Sequence, residues 1–558
     1  MIAIKQEFSE NTAAPNLYAD VSDLERTQTA SLLKGLVSAN SQTKFGLHHN
    51  FSDIHSIDDY RANVPLASYE DIRSWVERIS EGETNVLTKG RVVAFFKTSG
   101  SLSKPKLIPV TTHLMTQKVK TFAAYWEGIY QDYPRTRNGK MVCNFADSSE
   151  PDTTHSTLPI YSESAFWAGR GRGLHSLDRW PLPREVRDIK DPHVRSYACA
   201  RLLLQENMSC IMCLNPSTLL FFCRIIKTHL GSLAAGLETG SWGAENTNEY
   251  DALNSAENSA LSKHLRINSL AAQRLNTFKF KTETIKLKEL WPSLDLLICW
   301  QSQVVQPYFK QLSPYIEGIA IRDYITQSSE CMMAVPYQDQ TSGGELAQNA
   351  HFFEFIPEEN TTCKQPETRL AWQLEIGRRY EVVVSTGGGL YRYRMGDCVQ
   401  VNGFKGEIPI IEFLYRLGKT SSMTGEKLTE HQVMQAAKVS TEHCQYGPEE
   451  FLCFPCTGEL PHYSLILDFG LSDNSCESMM QWGAEFDLRL KEFNSEYADK
   501  CLTGRLGSLQ LFKASAGQLR SHRFSKRAKG VSEEQVKSEV LNAELDLHEK
   551  YTNLQMLK

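Results

Sequence analysis

The sequence predicts an α/β protein in two parts: a large N-terminal domain of mixed β-sheets with flanking helices, then a smaller α/β C-terminal domain. Three observations carry that expectation. A chain of 558 residues is too long to close around one hydrophobic core. Helical patterns fill the first 90 residues, whereas short apolar runs separated by turn signals dominate after residue 291. Beyond Arg416 the chain becomes charged and helix-rich, with one further pair of apolar runs. The expected boundary lies at 414–419, which gives domains of residues 1–415 and 416–558.

Taken in order, Ser68 followed by Tyr-Glu-Asp supplies an N-cap and an acidic first turn for a helix through Val76. Residues 91–97 form a short apolar strand, 112–130 a long helix and 141–145 another strand. Residues 231–262, rich in Gly, Ser, Asn, Glu and Ala, are expected to form a surface insertion or lid, or else a disordered linker. Strands are expected at 294–300, 318–322, 332–335, 351–356, 380–385 and 398–401, then at 451–454 and 462–467.

Composition narrows the function. A hydrophobic share of 41% and a charged share of 23% are those of a soluble globular protein. A net charge of −6 and a pI near 6.2 argue against nucleic acid as a partner. No apolar run approaches bilayer length, and the N-terminus lacks a secretory core, so the expectation is cytoplasmic with no membrane partner. Among fourteen cysteines, two close pairs stand out, Cys210/Cys213 and Cys453/Cys456. No histidine cluster lies beside either in sequence, so reduced, mostly buried thiols are expected.

The chemistry concentrates in three segments. Residues 96–109 read Phe-Lys-Thr-Ser-Gly-Ser-Leu-Ser-Lys-Pro-Lys-Leu-Ile-Pro. Thr98, Ser99, Gly100 and Ser101 offer hydroxyl and backbone donors in one turn, with Lys104 and Lys106 adding charge. Such a loop suits the oxygens of a phosphate chain, although it lacks Walker spacing and a solvated Ser/Thr turn has the same composition. The second segment, Asp323-Tyr-Ile-Thr-Gln-Ser328-Ser329-Glu330, closes an apolar run. The third is Gly387-Gly-Gly-Leu-Tyr-Arg392-Tyr-Arg394-Met-Gly396-Asp397.

Thr-Ser-Gly-Ser, Ser-Ser-Glu and Tyr-Arg-Tyr-Arg-x-Gly-Asp, in this order, resemble the acyl acid-amido synthetases of the auxin-responsive Gretchen Hagen family. That family belongs to the adenylate-forming superfamily, so the resemblance implies mixed β-sheets and a β-barrel in the large domain and a mobile small one. It implies an ATP- and Mg²⁺-dependent ligase that makes an acyl-AMP from a carboxylic acid and passes the acyl group to an amine, an amino acid being the expected acceptor. An acyl-CoA ligase and a non-catalytic nucleotide-binding module are the alternatives.

The resemblance assigns the hydroxyl loop to the phosphates, Ser328 and Ser329 to the nucleotide, Glu330 to Mg²⁺ and Asp397 to the ribose diol. Arg394 or Arg392 is expected to neutralise the α-phosphate, one intervening tyrosine placing both on the same strand face. Arg416-Leu-Gly418-Lys419 through Gly425 resembles the superfamily hinge, and Gln535-Val-Lys537 the motif of its late catalytic lysine. Three departures mark a divergent member. Lys537 lacks the following Pro-Arg, Ser103 stands where glycine is usual, and Gln303 replaces a turn glycine.

Overall fold

The computed structural model describes residues 23–98, 106–143, 152–154, 157–161, 163, 166, 179–189, 191–214, 216–245, 247–256, 258–278, 284–301, 306–361, 363–417, 420–421, 426, 428–456, 461–470, 475–502, 506–525, 539–542 and 546–557. Helices Asp23–Ala39, Ile57–Asn63 and Tyr69–Ser80 open the chain. The last starts where expected, with the Ser68 N–H and hydroxyl donating to Asp71 Oδ2 at 2.8 and 2.7 Å. It buries Tyr69, Ile72, Val76 and Ile79, one face at helical spacing.

Three sheets build the large body. Val92–Thr98 and Lys106–Thr111 form an antiparallel hairpin, extended by Pro159–Tyr161 and Asp152–Thr153. Lys140–Cys143, Met208–Met212, Leu296–Ile298 and Ala320–Arg322 form a parallel sheet. Its central strands are buried on both faces because helices Pro192–Leu204 and Pro216–Thr228 cover one side and helix Thr112–Asp132 packs on the other.

The third sheet is antiparallel and seven-stranded, in the order Phe352–Pro357, Arg379–Ser385, Tyr393–Lys405, Ile408–Arg416, Gly344–Leu346, Met332–Val335, Thr326–Gln327. Its aromatic and aliphatic face packs on the first helices and the hairpin in one large core. Beyond this sheet, helices Glu430–Cys444 and Cys476–Phe493 pack on a four-stranded sheet of Glu450–Cys456, His462–Asp468, Gln510–Lys513 and Gln555–Leu557. Among the described residues, no single helix is long and apolar enough to cross a membrane.

The stretch 231–262 departs from expectation. It holds helices Leu230–Thr239 and Asn248–Leu253 and is part of the core, with Leu233, Leu237, Trp242, Leu253 and Leu261 buried. Buried Arg201 donates to the carbonyls of Gly236 and Ser241 at 2.7 and 2.8 Å, and Tyr197 to that of Trp242 at 2.7 Å. The few apolar residues fall at helical intervals, and average polarity conceals that periodicity.

Candidate active site

In sequence, the hydroxyl loop falls between the two strands of the first hairpin. Thr98 pairs with Lys106 at its base, while Ser99, Gly100, Ser101 and Lys104 lie outside the described residues. At that base, the Tyr69 hydroxyl receives the Leu107 N–H at 2.8 Å, and Lys106 Nζ lies 5.6 Å from the Tyr69 ring centre. The second hairpin strand runs directly into helix Thr112–Asp132, capped by Thr111 through the Leu114 N–H at 3.1 Å.

The start of that helix meets both other motifs. Thr111 Oγ1 donates to the Gly387 carbonyl at 2.7 Å. A Cβ on Gly387 would stand 2.1 Å from His113 Cδ2, and one on Gly388 2.9 Å from the Pro109 carbonyl. Gly389 holds φ at +91°, with Leu87 Cβ only 2.8 Å from where a side chain would begin. The triple glycine therefore lets the chain pass close beneath the hairpin and helix. One turn further along the helix, fully buried Lys118 donates to Glu163 Oε1 at 2.6 Å and to the Ser328 carbonyl at 2.7 Å.

Ser328 organises the turn that presents Ser329 and Glu330. Its N–H donates to the Cys331 carbonyl at 2.9 Å, and its hydroxyl accepts from the N–H groups of Glu330 and Cys331 at 3.2 and 3.3 Å. Such an ST turn places a carboxylate at a strand end with little freedom. Cys331 Sγ touches Met395 Sδ at 3.5 Å, joining the Ser-Ser-Glu turn to the strand that carries Gly396 and Asp397. Burial pushes the Cys331 thiol pKa up; the Lys118 charge opposes this, and the charges of Glu330 and Asp397, 2% and 5% exposed, add to it. The second and third motifs are thus joined through a buried sulfur contact. Gly396, at φ +71°, turns the strand immediately before Asp397 and accepts the Leu417 N–H at 2.6 Å.

The two arginines of the third motif do not share a strand face. Arg392 precedes the strand and has φ +45°, which breaks the two-residue alternation. Its buried guanidinium grips Glu354 at 2.9 and 3.1 Å and the Val64 carbonyl at 2.8 Å. Arg394 instead pairs with Glu381 at 2.5 Å and donates to the carbonyls of Thr361 and Cys363 at 2.6 and 2.9 Å. Glu381 thus compensates the charge expected to face an α-phosphate. The backbone of this segment is tied to the N-terminal helices, Ala67 exchanging hydrogen bonds with Arg392 and Arg394 at 3.0 and 2.8 Å.

Three groups near the motifs were given no role by the sequence reading. Lys118 lies in the apolar stripe Leu114, Met115, Thr121, Tyr125, and a lysine at such a position is a detectable signal. His351 is buried, accepts the Met332 N–H at Nε2 and has no partner at Nδ1 among the described residues; burial, with the charges of Lys118 and His113, pushes its pKa down to about 3. Asp323 accepts three backbone N–H bonds, from Gln301, Tyr324 and Gly343, yet burial pushes its pKa up to about 7. Lys419 and Lys537 lie outside the described residues, as does the hinge-like run 422–425.

Comparison with known proteins agrees with this arrangement. Residues 14–321 match the GH3 family N-terminal domain, 344–416 its central domain and 430–545 its C-terminal domain. Indole-3-acetic acid-amido synthetase GH3.15 of Arabidopsis thaliana is 25% identical over 84% of this chain and 81% of its own length. Putative indole-3-acetic acid-amido synthetase GH3.10 of Oryza sativa subsp. japonica is 25% identical over 78% of this chain and 87% of its own. The fold is that of the solved AtGH3.15 acyl acid amido synthetase in complex with 2,4-DB: TM-score 0.79, 21% identity, covering 100% of this chain and 97% of that one. A 2-hydroxyisobutyryl-CoA ligase in the postadenylation state shares it more distantly, with TM-score 0.50 and 11% identity over 96% of this chain and 94% of its own. With all three domains matched in order, the chain belongs to the GH3 family.

Proposed function

We propose that this protein is an ATP-dependent acid-amido synthetase, forming an acyl-adenylate from a carboxylic acid and then an amide with an amino acid. The observation that carries the reading is the packing of the Ser-Ser-Glu turn on the strand that bears Asp397, through Cys331 and Met395, while Thr111 ties the strand that follows the hydroxyl loop to the Gly387 carbonyl of the third motif. The names of the relatives, acid-amido synthetases, support amide formation as the second step.

In the first half-reaction a carboxylate oxygen attacks the α-phosphorus of ATP, and the bond to pyrophosphate breaks. Thr98, Ser99, Gly100, Ser101, Lys104 and Lys106 hold the phosphates through hydroxyl, backbone and ammonium donors. Asp397 accepts both ribose hydroxyls, which a carboxylate does with its two oxygens. Ser328 and Ser329 fix the nucleotide beside it. A hard carboxylate such as Glu330 suits Mg²⁺, which when bound would draw charge from the phosphate oxygens. Lys537 supplies positive charge as the carboxylate attacks. In the second half-reaction the amine nitrogen attacks the acyl carbon, the bond to AMP breaks, and the nitrogen loses a proton.

Residues 1–415 form the ATP- and acyl-binding domain, and 416–558 the small domain, which pivots about Lys419 between the two steps. Fourteen cysteines, all of them thiols, suit a reducing, cytoplasmic setting.

Pyrophosphate release is the test. Incubation with ATP, Mg²⁺ and a panel of carboxylic acids should release pyrophosphate without an acceptor, and added amino acids should accelerate turnover. Acceleration by CoA alone would move the protein to the acyl-CoA ligases. Nucleotide binding without pyrophosphate release for any acid would leave a binding module.

A further inference from the structure

The small domain holds a second cluster of chemically active side chains. Cys456 ends strand Glu450–Cys456, and His548 lies in the short helix Leu547–Lys550, whose preceding residue is Asp546. Ninety-two positions separate the thiol from the imidazole, yet Cys456 Sγ and His548 Nδ1 stand 3.7 Å apart. One ligand atom each from Cys456, Asp546 and His548 lies within 4.8 Å of the others.

We propose that Cys456, Asp546 and His548 form a transition-metal site, of the class that takes Zn²⁺, with a fourth position open to water. Thiolate, imidazole and carboxylate together are a donor set zinc favours and Mg²⁺ does not. Bond lengths of about 2.3 Å to sulfur and 2.0–2.1 Å to nitrogen give a tetrahedral S···N edge of about 3.6 Å. The observed 3.7 Å matches it. The carboxylate closes the third corner by a movement of about 1 Å, within reach of a side-chain rotation.

Two further features hold the ligands in place. The His548 ring is sandwiched between Phe512 and Phe454, with centroids 4.9 and 5.9 Å away and planes within 26°, so Nδ1 stays directed at the sulfur. Asp546 sits at φ +53°, and its N–H donates to the Pro455 carbonyl at 3.0 Å, fixing the turn beside Cys456. The Ser464 hydroxyl lies 3.2 Å from the same sulfur and can donate to a thiolate. Burial and the Asp546 charge push the thiol pKa up, and a bound dication reverses that balance. The ion would tie the 546–551 segment, near the C-terminal end, to the sheet of the small domain.

Cobalt reports the site without any need for ATP or acid. The full chain, stripped with a strong chelator, is titrated with Co²⁺ while the thiolate-to-cobalt band in the near ultraviolet and the tetrahedral visible bands are recorded. The expected result is one equivalent of Co²⁺ with both signals, displaced by Zn²⁺ and not by excess Mg²⁺. Cys456→Ser should abolish the near-ultraviolet band. Asp546→Asn, which keeps a residue tolerant of the left-handed conformation, should weaken binding at least tenfold. Cys476→Ser, an exposed thiol elsewhere, should change nothing. A parent without the thiolate band, or a band that survives in Cys456→Ser, overturns the proposal. Because nothing here is catalytic, that outcome leaves the synthetase reading untouched.

Discussion

At the residue scale, Asp397 and Glu330 are the side chains proposed to meet ATP, whereas others shape the site around them. Asp397→Asn removes the charged acceptor for the ribose diol. A charge-assisted hydrogen bond is worth about 1.5–3 kcal/mol, so the KM for ATP should rise by about tenfold to a hundredfold. An unchanged KM in the folded variant would take Asp397 out of the site. Glu330→Gln should instead lower kcat and shift the Mg²⁺ titration, and superimposable titrations would remove it as the metal ligand. Arg392 belongs to the other class. It is paired with Glu354 in the core, where Arg61 also reaches Glu354 at 2.9 Å. Deleting one partner of a buried pair costs about 3–5 kcal/mol. Arg392→Ala should therefore lower Tm sharply while the surviving folded fraction keeps its ATP KM; a stable variant with a raised KM would restore the phosphate role.

The site was partly legible at this scale. Glu330 and Asp397 could be named because their motifs are local, a few consecutive residues each. The pairing of Lys118 with Glu163, 45 positions away, depends on how the hairpin sheet packs against the helix, which no local pattern encodes. The arginines misled for a related reason. Alternation holds only within a strand, and Arg392 stands at a positive φ just before one.

At the scale of elements, strands with compact apolar runs were readable. Met332–Val335 was expected at its observed bounds, and helix Thr112–Asp132 within two residues. Strand Ile408–Arg416 went unread, although it pairs along most of Tyr393–Lys405. Asp323, between strands Ala320–Arg322 and Thr326–Gln327, is a carboxyl held in a dry setting by the N–H groups of Gln301, Tyr324 and Gly343, the last immediately before strand Gly344–Leu346. Its folded pKa of about 7 exceeds the unfolded value, so the native state keeps a proton that the unfolded chain has released. The stabilisation is complete below about pH 4 and declines as pH rises to about 7. Tm should fall across that window more steeply in the parent than in Asp323→Asn. Parallel curves would show that Asp323 titrates normally.

At the scale of the whole molecule, the body and the small domain touch through a defined contact. Arg224, on helix Pro216–Thr228, holds Glu449 at 2.8 and 2.9 Å and Gln311 at 2.8 Å. Arg520 of the small domain lies 5.4 Å from the Phe221 ring centre on the same helix. If the small domain pivots between half-reactions, this contact favours one orientation. A partly exposed pair contributes up to about 1 kcal/mol, so Arg224→Ala should change the ratio of adenylation to aminolysis rates by up to about fivefold. Equal effects on both steps would argue for a static junction.

The central claim, that a carboxylic acid is activated by its own attack on the α-phosphorus, has a direct test in the fate of one atom. A substrate acid labelled with oxygen-18 in its carboxylate is turned over with ATP and an amino acid, and the nucleotide product is weighed by mass spectrometry. The account requires one labelled oxygen to leave on AMP as the amide forms, with unlabelled pyrophosphate. Label in inorganic phosphate beside ADP, or AMP free of label, would contradict it.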